Sequence, residues 1–156
     1  VDVQKNFKGL EHYTVDQLIT WARELRKNIN ALYTFVHPED ATIRGCSHVM
    51  WTGKTLDPKS TARNAVFYGD KAIDRSPCGT GTSARMAQWY TQGKLKKGDH
   101  ESIIGSTFAG TIESELVLDG KPAIRPGIEG WAKIYGYNTI AIDPKDDPYA
   151  YGFQVI

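Results

Sequence analysis

DRSPCGTGTSARMAQWY, residues 74–90, packs a proline, a cysteine and two glycines into positions 77–81 and then turns abruptly into good helix formers. The run Ala84, Arg85, Met86, Ala87 and Gln88 favours a helix over residues 82–92. Upstream, Asn64-Ala65-Val66-Phe67-Tyr68 has the β-branched and aromatic content of a strand, and Gly69-Asp70-Lys71 that of a turn. Cys78 is thereby placed at the entrance to a helix that follows a strand.

Working outward, Thr14-Val15-Asp16-Gln17 has the form of a capping box. Leu18, Trp21, Ala22, Leu25, Ile29 and Leu32 then recur at three- and four-residue steps, which predicts an amphipathic helix of about five turns. His37-Pro38-Glu39-Asp40 stops it, because a residue before proline is pushed out of helical dihedrals. Beyond the break, strand-like runs are expected at 47–51, 64–68, 102–111, 112–118 and 132–142. Turn punctuation falls at Gly53, Gly69-Asp70, Asp119-Gly120 and Pro126-Gly127. The pattern describes one α+β domain, two helices packed on largely antiparallel strands.

Composition narrows the function classes. A chain of 156 residues buries roughly 70% of its unfolded surface, enough for one core. With 40% hydrophobic and 24% charged residues and a net charge of +1, the sequence asks for neither nucleic acid nor a membrane surface. No apolar run approaches the ~18 residues that span a bilayer. Val1-Asp2-Val3 opens neither a signal peptide nor a usual reading frame, so a fragment is expected. Cys46 and Cys78, far apart, suggest neither a disulfide framework nor a thiolate zinc site, and a reducing, cytoplasmic setting is expected.

The position of Cys78 has chemical consequences. Backbone N–H groups in a first helical turn have no intrahelical partner, and with the helix dipole they make an anion site that Gly79 and Gly81 leave open. The same field favours thiolate, so Cys78 is expected to titrate below the ordinary ~8.5. Asp74 stands ready to accept hydrogen bonds from an amine, although its charge raises the thiol somewhat. A zwitterion would meet both groups. The alternative is plain burial, since free cysteine is among the most buried residue types and glycines mark turns. Cys46 and the tryptophans Trp21, Trp51, Trp89 and Trp131 are read as packing residues.

The stretch Asp74-Arg75-Ser76-Pro77-Cys78-Gly79-Thr80-Gly81-Thr82 resembles the second active-site motif of the proline racemase family, which includes hydroxyproline 2-epimerases and 3-hydroxyproline dehydratases. Further likeness lies in Trp51-Thr52-Gly53-Lys54, in residues 62–73, in His100-Glu101-Ser102-Ile103-Ile104-Gly105-Ser106 and in Gly136-Tyr137-Asn138-Thr139, which look most like bacterial 4-hydroxyproline 2-epimerases. The resemblance covers nearly the whole chain. It implies a diaminopimelate epimerase-like lobe, mostly antiparallel strands around a central helix, with residues 1–156 forming the second of two lobes. It implies catalysis without metal or cofactor, one thiolate removing the α-proton while the opposite thiol returns one to the other face. By the same resemblance Cys78 is the second-lobe cysteine, Gly79 and Thr80 hold the substrate carboxylate through backbone amides, and Asp74 contacts the ring nitrogen.

Two more residues belong to this expectation. Tyr68 falls where family members differ near the ring, and a phenol suits a hydroxylated ring, with strand packing as the alternative. His48 is placed to help with the hydroxyl or carboxylate, against a structural role for a lone strand histidine. The implied partners are a small-molecule substrate (hydroxyproline or proline) and the first lobe of the same enzyme, with a homodimer allowed and no nucleic acid or membrane. Proline racemase is the nearest rival function. A dehydratase is disfavoured because the matching position there is usually threonine, and an isolated lobe would be a non-catalytic binding module. The Cys-Gly-His motif of the first lobe is absent, and the junctions Val3-Gln4 and Asp99-His100 look short beside the family. The C-terminal segment, residues 149–156, is expected to lack the first lobe that it returns toward.

Overall fold

The computed structural model describes residues 6–94, 98–102 by their backbone, and 105–152. Val3-Gln4, the side chains of the His100 motif, Ile103-Ile104 and residues 153–156 lie outside the described residues. Helix α1 spans Val15–Leu32 and opens with the expected capping box: the Gln17 N–H donates to Thr14 Oγ1 and the Thr14 N–H to Gln17 Oε1. Strands β1 (His48–Gly53), β2 (Ser60–Tyr68) and β3 (Ala72–Ile73) lead into helix α2 (Gly79–Thr91). Strands β4 (Gly98–Ser102), β5 (Thr107–Leu118) and β6 (Lys121–Glu129) complete a sheet of order β1-β2-β4-β5-β6, with β3 on the end of β2.

All neighbours in the sheet are antiparallel except β2 and β4. A parallel pair needs a crossover, and α2 supplies it. The helix therefore starts at the end of the sheet where β2 finishes, which is also where β1 begins. His48 lies directly opposite Tyr68 at that end.

The two faces of β1 and β2 have separate tasks. Val49, Trp51, Ala65 and Phe67 join Leu10, Leu18 and Ala22 in the main core beneath α1, with Phe7 stacked between Tyr13 and Trp51. The Trp51 indole N–H donates to the Leu18 carbonyl at 3.3 Å. On the other face α2 comes close enough that a Cβ at Gly81 would lie 2.5 Å from the Met50 methyl and 3.2 Å from Val66 Cγ2. Met86 abuts Gly110 of β5 in the same way.

Several expectations are corrected. The run 102–111 is two strands, with Gly105 in the left-handed region at φ +86° and Ser106 between them, while β5 runs unbroken through Thr111 and Ile112. Pro126-Gly127 lies inside β6. An edge strand tolerates a proline that donates nothing, and β5 bulges at Glu113 opposite it. Asp119 and Gly120 do form the tight turn, both at positive φ as a two-residue hairpin requires. The alternating segment 132–142 pairs with no strand among the described residues, and Tyr135 and Tyr137 are 97% and 92% exposed. Alternation alone makes no strand, because each N–H and C=O needs a partner. Trp51 is core as expected, whereas Trp131 and Trp21 are exposed and Trp89 only half-buried.

Candidate active site at the entrance of helix α2

Cys78 is the N-cap of α2, and its backbone stands at φ +67°, ψ 113°. For a residue with a Cβ this region costs about 1–3 kcal/mol and persists only where the surroundings enforce it. The surroundings here are specific. Asp74 Oδ1 accepts from both the N–H and the hydroxyl of Ser76, at 2.9 and 2.8 Å, and Ser76 Oγ accepts from the Cys78 N–H at 3.0 Å. The Pro77 carbonyl accepts from the buried Asn64 amide at 2.8 Å and from the Thr82 hydroxyl at 3.3 Å. Asp74 is tied in turn to β2, its N–H donating to the Val66 carbonyl at 2.9 Å. The loop is thus fastened to strand and helix at each step.

The thiol is buried, 5% exposed, and Sγ accepts the Gly81 N–H at 3.3 Å. The expectation of a lowered pKa is not met. Burial pushes the Cys78 thiol up, the Asp74 carboxylate adds to the rise, and the amides of Gly81 and Thr80 offset only part of it. Desolvation outweighs the helix end because this thiol has left water. Cys78 therefore rests protonated at neutral pH.

The two glycines divide their work. Gly81 is small so that the helix can seat on Met50 and Val66, whereas a Cβ at Gly79 would meet nothing within 4 Å. The open approach is at Gly79, while the Thr80 amide, like that of Gly81, is turned toward the thiol. Gly81's amide is already used by the thiol.

His48 and Tyr68 stack at 5.4 Å between ring centroids and 26° between planes. Ser47 Oγ lies 2.7 Å from His48 Nδ1 and fixes that ring. A cavity of about 650 Å³ runs between β1 and the flank of α2, lined by His48, Met50, Thr80 and Gly81 among others. It does not reach Cys78 or Asp74, which sit behind the first turn, so the helix entrance and not the cavity floor carries the acid–base groups. Cys46 is a packing residue as expected, its thiol donating to the His48 carbonyl at 3.4 Å.

Other positioning residues gave little signal in the sequence. Arg26 of α1 donates to the Ser47 carbonyl at 2.9 Å and also to the Gly69 carbonyl, and Asn30 exchanges hydrogen bonds with the Cys46 backbone. These side chains clamp the end of β1 and β2 that bears His48 and Tyr68. Asn64 likewise holds the loop before Cys78 through a contact that no local motif announces.

Comparison with known proteins fits this geometry. The proline racemase family matches residues 1–154. The chain belongs to that family. It is 66% identical to a 4-hydroxyproline 2-epimerase of Spirosoma linguale, covering 100% of this chain and 47% of the relative. It is 56% identical to a 4-hydroxyproline epimerase of Brucella ovis, covering 99% and 47%. Its fold matches a crystal structure of a hydroxyproline epimerase from Agrobacterium vitis with bound trans-4-hydroxy-L-proline, with a TM-score of 0.73 and 31% identity over 92% of this chain and 43% of that one. A probable proline racemase from Agrobacterium radiobacter with bound carbonate gives 0.71 and 36%, over 89% and 41%. This family member spans about half the length of the curated relatives that it matches.

Proposed function

We propose that this chain is the second lobe of a cofactor-independent 4-hydroxyproline 2-epimerase, converting trans-4-hydroxy-L-proline to cis-4-hydroxy-D-proline. The observation that supports it most is the strained, hydrogen-bonded placement of Cys78 at the first turn of α2, beside the open space at Gly79, in a chain 66% identical to such an epimerase. The N–H groups of Gly79 and Thr80, which have no intrahelical partner, receive the substrate carboxylate, as oxyanion donors at a helix start do. Asp74, anchored through Oδ1, offers its other oxygen to the ring ammonium. This bipolar grip turns the α-carbon toward the cysteine.

Cys78, protonated at rest, is the acid that delivers a proton to one face of the carbanion. The matching base, a second cysteine in this reading, belongs to the other lobe and removes the original proton from the opposite face. His48 and Tyr68 meet the ring side of the substrate. The setting is cytoplasmic, where thiols stay reduced.

To test the substrate, the protein carrying both lobes is incubated separately with trans-4-hydroxy-L-proline and with L-proline, and epimers are resolved on a chiral column. Faster turnover of hydroxyproline is expected. Faster turnover of proline would replace this reading with a racemase, and loss of water from 3-hydroxyproline in place of both would make it a dehydratase.

A further inference from the structure

The cavity beside α2 has a chemistry of its own. Arg85 lies two turns into the helix, roughly 9 Å along the axis from Gly79 at 1.5 Å per residue. Its guanidinium carbon sits 4.5 Å from the centre of the Trp89 ring. Nη1 is fully buried and has no hydrogen-bond partner among the described residues. Burial lowers its pKa to about 10, so it remains a cation at neutral pH.

The lining of the cavity includes Lys94, Gln88 and His48 with Arg85 and, among the described residues, no aspartate or glutamate. A guanidinium withdrawn from water without a counter-charge is costly, and a planar anion is what its fork of donors matches best. The apolar wall of Trp89, Met50 and Val66 suits a short carbon skeleton beside that anion. The volume, about 650 Å³, is that of a small-molecule pocket.

We infer that the cavity between β1 and α2 binds a small-molecule carboxylate on the Arg85 guanidinium, in a pocket that adjoins the helix entrance at Thr80 and Gly81. The inference shares His48 and Thr80 with the site of the epimerase reading but uses neither Cys78 nor the Gly79 and Thr80 amides, so either can fail alone.

Sodium propionate is titrated into the protein at fixed pH and matched ionic strength, with sodium chloride and inorganic phosphate as parallel titrants. Side-chain 15N NMR follows the arginine Nε–H and Nη–H signals, and backbone amides are recorded in the same samples. Saturable shifts of the Arg85 signals with propionate are expected, weakened about tenfold or more in Arg85→Gln and partly retained in Arg85→Lys. Shifts confined to the Gly79 and Thr80 amides and unchanged in Arg85→Gln would overturn the inference while leaving the epimerase reading intact. No saturation by propionate, or tighter binding of phosphate at Arg85, would overturn it as well. Should Arg85→Gln fail to fold, the wild-type Arg85 signals and Arg85→Lys decide the matter.

Discussion

The two faces of β1 and β2 are built from the same strands and do opposite things. Beneath α1 the face is apolar and closed, with Leu18, Trp51 and Phe67 almost wholly buried. Toward α2 the alternate residues are His48, Met50, Asn64 and Val66, the helix comes down on Gly81, and a cavity opens along its flank. One face supplies stability and the other holds a strained cysteine in place. The difference shows how a small domain carries the cost of Cys78's backbone: the closed layer anchors the strands, and the strands, through Asp74 and Asn64, anchor the loop.

Substitutions can break that division. The largest effect is expected for Trp51→Ala, which should cost about 3–5 kcal/mol in denaturant unfolding while the surviving folded protein keeps an unreactive Cys78. A fast-alkylating Cys78 in that variant would mean the two faces are not independent. Next comes Asn64→Ala, which frees the Pro77 carbonyl; a loss of about 1–3 kcal/mol is expected, together with faster iodoacetamide alkylation of Cys78 measured by mass spectrometry. Unchanged alkylation would show that Asn64 does not hold the loop.

A finer comparison sets Cys78→Gly against Cys78→Ala, which both remove the thiol. Only glycine relieves the positive φ, so the glycine variant should be the more stable by about 1 kcal/mol. Equal stabilities would remove the strain from the account. The smallest effect is on pH dependence. The folded state holds the Cys78 proton more tightly than the unfolded chain does. This contribution is complete below the unfolded thiol pKa and is lost as pH rises through the higher folded one. Unfolding curves recorded at increasingly alkaline pH should therefore decline less steeply for Cys78→Ala than for wild type.

Much of this was legible in the sequence, for reasons that can be stated. The start of α1 was readable because a capping box is local, and the entrance of α2 because proline, glycine and cysteine restrict the backbone within a few residues. The hairpin of β5 and β6 was half-read: Asp119-Gly120 is a turn in any context, but Pro126-Gly127 resembles one and is instead edge strand opposite a bulge. The segment 132–142 shows the converse, a strand pattern with no partner among the described residues. The direction of the Cys78 pKa was misjudged because a helix end is visible in sequence and burial is not. The roles of Asn64 and Arg26 depend on contacts between distant segments, which no spacing rule reports.

The central claim is that Cys78 exchanges the α-proton of hydroxyproline, and solvent isotope incorporation tests it most directly. The protein carrying both lobes is incubated with trans-4-hydroxy-L-proline in deuterium oxide, and C2 deuteration and epimer formation are followed by NMR in wild type and Cys78→Ser. The account predicts deuterium at C2 of the cis-D product with wild type, and loss of product in Cys78→Ser. Undiminished epimerisation by Cys78→Ser, or an epimer formed without solvent deuterium, would contradict it.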